Sequence, residues 1–160
     1  MTIVHTRVDE RLIHGQVAMV WTNTVGATRI AVVNDEAVKD EMIIAALKIA
    51  KPAGVKLSIL SKERAIAKFN AGEFNDDKVF LITKNIADAL YLVKNGLSEL
   101  KEVNVGNVAK REGAVSIKQS VHVTDQDIKD LHEMIENGVK VTAQMVPNES
   151  DQSIVTYLPK

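Results

Sequence analysis

Short apolar, β-rich runs alternate with helical patterns along the whole chain, and that alternation constrains the fold more than any other feature. Strands are expected over 2–8 ("TIVHTRV"), 29–35, 55–60, 78–83, 102–107 and 139–146. Between them the spacing predicts helices from Gly15 to Thr24, over 36–51, from a capping Ser61 to 70–72, over 85–96 and over 124–138, the last opened by Thr124. Val17, Val20, Trp21 and Val25 would share the buried face of the first helix. Val38, Met42, Ala45 and Ile49 would do so on the second, which Pro52 and Gly54 stop, and Ile128, Leu131 and Ile135 on the last. The stretch 108–123 reads as irregular with one short edge strand, and 153–158 as a tail strand. The alternation predicts one α/β domain over 1–160, an open, mostly parallel twisted sheet of about six or seven strands with helices on both faces. Such sheets bind ligands outside the carboxyl ends of their strands, where strand order reverses. The loop from Asp9 to His14 follows the first strand and falls at that edge.

That loop belongs to "RVDERLIHGQV" (7–17), dense in charge where a plain turn would suffice. The Gly15, Gln16 and Val17 amides at the helix start would be free to meet an anion, and Gly15 lets backbone approach without a Cβ. Arg7 and Arg11 add two permanent cations with planar donor forks. A helix end supplies only about 0.3–1 kcal/mol. A unit charge pair at about 4 Å near a protein surface supplies ~4 kcal/mol before desolvation. The arginines should therefore dominate anion binding. His14 is a nucleophile uncharged in useful fraction near neutrality, so a phosphoryl acceptor role is open to it. Asp9 would orient Arg11 or a ring nitrogen, and Glu10 would be solvated; alternatively, the arginines simply pair with Asp9 and Glu10.

Composition narrows the partners. Lys+Arg 20 against Asp+Glu 21 gives a formal net charge of −1, so no overall field draws the chain to nucleic acid. The chain has no cysteine, which closes thiolate zinc sites and cysteine phosphocarriers. No signal peptide and no run near the ~18 apolar residues of a membrane span is found, so a soluble cytoplasmic protein is expected. His5, His122 and His132 show no metal-ligand spacing. His5 would be a hydrogen-bonded sheet residue, Trp21 core, or less simply a sugar-stacking ring, and Lys110 and Arg111 solvated surface.

"RVDERLIHGQV", with a tryptophan four residues on, closely resembles the active-site segment of the IIB subunits of the mannose/fructose/sorbose family of sugar phosphotransferase systems. The similarity continues through "VVNDEAVKD" (32–40), "VNVGN" (103–107), "SIKQSVHVTDQD" (116–127) and "GVKVTAQMVPN" (138–148). The resemblance implies that His14 accepts a phosphoryl group from a phosphohistidine on IIA and passes it to a sugar bound by the membrane subunits IIC and IID. It implies that Arg7 and Arg11 hold the phosphoryl oxygens, and that Asn34, Asp35, Gly106 and Asn107 form further walls of the crevice. Asn34 and Asp35 are also good helix caps, and Gly106 a turn residue. No cofactor or metal is implied; association with the inner membrane face through IIC and IID is, and self-association stays open. The competing reading is a non-enzymatic module binding a phosphorylated metabolite. An aspartate-based receiver domain lacks the paired acids that magnesium needs at the end of the first strand.

Overall fold

The run Val79–Thr83 is buried at every residue, as a strand is only when both faces of its sheet are covered. The computed structural model describes residues 2–13, 15–145, 147 and 153–158, with the backbone alone at 156. In chain order it contains β1 (Ile3–Asp9), α1 (Gly15–Val25), β2 (Arg29–Val33), α2 (Glu41–Ala50), β3 (Lys56–Leu60), α3 (Lys62–Asn70) and β4 (Val79–Thr83). It continues with α4 (Ile86–Lys94), β5 (Glu102–Asn107), β6 (Val115–Lys118), β7 (Val121–Val123), α5 (Asp125–Glu136) and β8 (Lys140–Thr142). Short 3-10 turns occupy Ala37–Lys39 and Ile154–Tyr157.

Six strands form one sheet in the order β3-β2-β4-β1-β5-β8, and every neighbouring pair is parallel. Alternate strand residues feed two cores. Val8, Val33, Leu81 and Val105 pack with Phe69 of α3, Leu90 of α4 and Leu131 of α5. Ile30, Val32, Phe80 and Ile82 pack with Trp21 of α1 and Leu47 of α2. Helices therefore cover both faces, and all six carboxyl ends lie at one edge, with β1 central.

Several elements differ from the sequence reading. The helix expected over 36–51 is divided at Asp40, whose backbone is extended (φ −113°, ψ 105°) and whose carboxylate accepts from the Met42 and Ile43 amides. The cap resets the helical phase. Leu47 turns inward with Ile43 and Ala50 beside it, while Met42 and Ile49 are 84% and 86% exposed. On α1, Ala18, Trp21 and Thr22 are buried and Val20 is exposed. On α5, Leu131 and Met134 are fully buried and Ile128 and Ile135 are half-buried beside them.

The stretch 108–123 contains two strands, the antiparallel pair β6–β7. The last parallel strand stops at Thr142 because the Asn104 side chain, rather than a strand ladder, receives the Gln144 amide. The tail is a 3-10 turn opened by a Ser153 cap, with Ser153 itself bridged antiparallel to Thr142.

Candidate functional site

On β1 the side chains of His5, Arg7 and Asp9 share one face, as alternate residues of a strand must. Arg7 is 2% exposed. Its Nε donates to Asp9 Oδ2 at 3.1 Å, its Nη1 donates to the Gln144 carbonyl at 2.9 Å, and its Cζ lies 5.6 Å from the Trp21 ring centroid. The guanidinium lies against Gly106 of β5, where a Cβ would stand 2.0 Å from Arg7 Cζ. Gly106 is thus required by Arg7's packing, and its φ is not in the left-handed region. Asn104 completes the support: its Nδ2 donates to the Gln144 carbonyl at 3.0 Å and its Oδ1 accepts from the Gln144 amide at 2.8 Å.

Asp9, 1% exposed, collects both arginines. Its second oxygen accepts from the Arg11 amide at 3.0 Å and lies 3.9 Å from Arg11 Nε. Arg11 itself is 49% exposed, so it is the cation of this pair that faces solvent. Glu10 pairs with neither arginine. It is half-buried and accepts from the Ala109 amide at 3.0 Å, while its own amide donates to the Asn107 carbonyl at 3.0 Å. The expectation of a solvated Glu10 is corrected: it ties the loop to β5.

A turn closes from the Leu12 amide to the Asp9 carbonyl at 2.9 Å and puts Leu12 at φ +60°, a left-handed conformation that costs a branched residue about 1–2 kcal/mol. Burial of Leu12 and Ile13 beside Trp21 and Phe80 offsets that cost and fixes the loop's exit. Gly15 follows at φ +47° with open space where a Cβ would stand, so its need is conformational. Gln16 is exposed, and the first turn of α1 carries no acidic residue. His14 lies outside the described residues.

A cleft of about 290 Å³ opens beside the loop at the ends of β1, β4 and β5, lined among others by Glu10, Lys84, Asn85, Val108 and Arg111. Arg111 is not simply solvated: it is ion-paired with Asp127 and donates to the Ala109 and His122 carbonyls, both at 3.3 Å. Asn34 and Asp35 bond elsewhere. Asn34, 6% exposed, accepts from the Ala37 amide at 2.9 Å, and Asp35 accepts from the Lys62 amide at 2.8 Å. Their strand is separated from β1 by β4. They brace the starts of the Ala37–Lys39 turn and α3, and none of these bonds reaches the Asp9–Gly15 loop.

Trp21 is 4% exposed, stacked on His5 with centroids 4.2 Å apart, and donates from Nε1 to the Met145 carbonyl at 2.9 Å. It is core and closed to sugar stacking. His5 Nε2 is buried with no hydrogen-bond partner among the described residues, which corrects its expected role. Burial, helped by the Arg7 charge, pushes its pKa down to about 3, so the ring is neutral near pH 7. His122 is half-buried on β7, and His132 is exposed on α5. No cluster of three metal-ligating side chains occurs among the described residues.

Asn104, Gln144 and Leu12 were missed from the sequence. The available signal for Asn104 was a lone amide side chain inside the otherwise apolar alternation of "VNVG".

A parallel sheet wound on both faces, with an arginine-bearing turn at the carboxyl end of its central strand, defines an α/β protein whose candidate ligand site lies at that edge. The family model for the PTS system sorbose subfamily IIB component matches residues 3–160. The sorbose-specific EIIB component of Klebsiella pneumoniae is 34% identical over 97% of this chain and 94% of that protein. Two solved structures agree. The IIBSor domain of the Klebsiella pneumoniae sorbose permease superposes with a TM-score of 0.93 at 33% identity, over 98% of this chain and 96% of that one. The N-acetylgalactosamine-specific IIB component 1 of Escherichia coli gives 0.89 at 36% identity, over 95% of this chain and 99% of that one. The chain belongs to the sorbose-subfamily IIB components, the phosphocarrier phosphotransferases of PTS sugar transport.

Proposed function

We propose that His14 is the phosphoryl acceptor and donor of this IIB component. In the first transfer the N–P bond of a phosphohistidine on IIA breaks as an N–P bond forms on the neutral His14 imidazole, whose N–H proton passes to the departing IIA ring. In the second that bond breaks as an O–P bond forms on a hydroxyl of a hexose or N-acetylated hexosamine presented by IIC and IID, and the hydroxyl proton returns the ring to its neutral form. The observation that carries this reading is the Asp9 carboxylate, which draws in the Arg7 guanidinium and the Arg11 amide and leaves the Arg11 fork half-exposed three residues before His14.

The two arginines divide the work. Arg11 meets the phosphoryl oxygens as charge is redistributed during in-line transfer. Arg7, whose Nε and Nη1 are both engaged inside the fold, positions Asp9 and through it the turn. The Gly15 and Gln16 amides add the smaller contribution of a helix start that carries no acid in its first turn. Asn107 acts through its carbonyl, which holds Glu10 and so the near wall of the cleft. No helix among the described residues is long and apolar enough to cross a membrane. We place the chain in the cytoplasm, at the membrane periphery through IIC and IID.

Incubation with phosphorylated IIA should give an acid-labile, alkali-stable phosphate on the wild type and none on His14→Ala. Equal labelling of the variant would end the proposal. Arg11→Gln should keep the fold and slow labelling about 10²-fold, the usual effect of losing one preorganised donor to a developing anion.

A further inference from the structure

We infer that the outward face of α2 pairs antiparallel with the same face of a second copy of this chain. Met42 and Ile49 are 84% and 86% exposed, whereas every other exposed large apolar side chain among the described residues lies between 37% and 49%. They stand one heptad apart with the exposed Ala45 between them, a continuous apolar stripe along a helix whose inner face is already filled by Ile43, Leu47 and Ala50. Ala45 and Ala46 are small enough to let two helix backbones approach closely.

Charge selects the occupant and its direction. The amino end of α2 carries Glu36, Asp40 and Glu41, with Lys39 the one cation among them, and the carboxyl end carries Lys48 and Lys51. Glu41 and Lys48 are one heptad apart and flank the stripe on the same side. Two copies running antiparallel set Met42 against Ile49, Ala45 near the two-fold axis and Glu41 beside Lys48 of the partner copy, and their helix dipoles oppose favourably. A parallel pair would stack like charges. The face is therefore self-complementary, as a closed two-fold interface requires. The adjoining cleft of about 570 Å³ between α2 and β3, rimmed by Lys48 and Lys51, lies where the acidic amino end of the partner copy would arrive.

Sedimentation equilibrium from about 1 µM to about 1 mM, the range of weak protein association, tests this. The wild type should pass from monomer to dimer within it. Ile49→Glu should stay monomeric, and because Ile49 is exposed its circular dichroism and melting should match the wild type. Glu41→Lys and Lys48→Glu should each weaken the dimer about tenfold, a shift of one decade in Kd, and the double exchange should restore it. A wild type that stays monomeric throughout, a dimer indifferent to Ile49→Glu, or a double exchange no better than the single ones would each overturn the inference. Binding of a different protein to α2 by a monomeric wild type would do the same.

Discussion

Arg7 sits on Gly106 as a planar cation on a bare strand, and that contact makes a sharp prediction. In Gly106→Ala the added methyl would occupy the guanidinium's place, so Arg7 must leave Asp9 and Gln144. Breaking a buried charge pair and overpacking together should cost at least ~3 kcal/mol in denaturant unfolding and should slow labelling by phosphorylated IIA at the proposed acceptor as well. His5 gives a second test. Its folded pKa is pushed down to about 3 while the unfolded chain titrates near 6.5, so the unfolded state binds more protons between those values. This contribution to stability is complete above pH 6.5 and is lost as pH falls toward 3, with a limiting slope of about 1.4 kcal/mol per pH unit. His5→Phe, which keeps a ring on Trp21, should flatten the unfolding curve in that window without loss of stability at pH 7. Residue chemistry was only half legible in the sequence. The i, i+2 spacing of Arg7 and Asp9 on a strand already put both on one face and allowed them to pair. Nothing in composition told which arginine would be buried, because that depends on Gly106 and Gln144 arriving from β5 and the chain after β8.

At the scale of elements, boundaries were readable wherever a cap or an all-apolar run announced them. Ser61 accepts from the Arg64 amide as expected, Thr124 opens α5 with a reciprocal cap from Asp127, and 102–107 is a strand over its full expected span. The departure at α2 has a local cause: the apolar periodicity runs on through Asp40, but the Asp40 side chain starts a new helix and shifts its phase. The inward face is thus set by Leu47, and a pair of truncations separates the two phases. Leu47→Ala should cost about 2–4 kcal/mol of unfolding free energy, whereas Met42→Ala should fall within about 0.5 kcal/mol of the wild-type monomer. Asp40→Ala should cost about 1 kcal/mol by removing the acceptor for two amides. The tail misled for the opposite reason, since "SIVTYL" has the composition of a strand but an opening serine that bonds its own backbone.

The whole molecule was the most legible level. Strand–helix alternation without cysteine or a membrane-length run leaves few folds besides a parallel sheet covered on both sides, and the ligand edge follows from parallel strands alone. Strand order was not legible, since β4 inserts between β2 and β1 and removes Asn34 and Asp35 from the neighbourhood their sequence position suggested. The segment 153–158 also belongs to the fold. Ile154 is fully buried in the core shared by β5, β7 and α5, and Lys118 lies over the Tyr157 ring at 5.1 Å. Ile154→Ala should therefore lower the unfolding free energy by about 2–4 kcal/mol, measured by urea titration, although it is far along the chain from the arginine-bearing loop after β1.

The contact between Arg7 and Gly106 also limits how this sequence can drift. A lineage that acquires any side chain on the fifth strand at that point loses the room its arginine fills, and one that loses the arginine leaves Asp9 a buried carboxylate without its main counter-charge. The two positions, remote along the chain, should change together or stay fixed together.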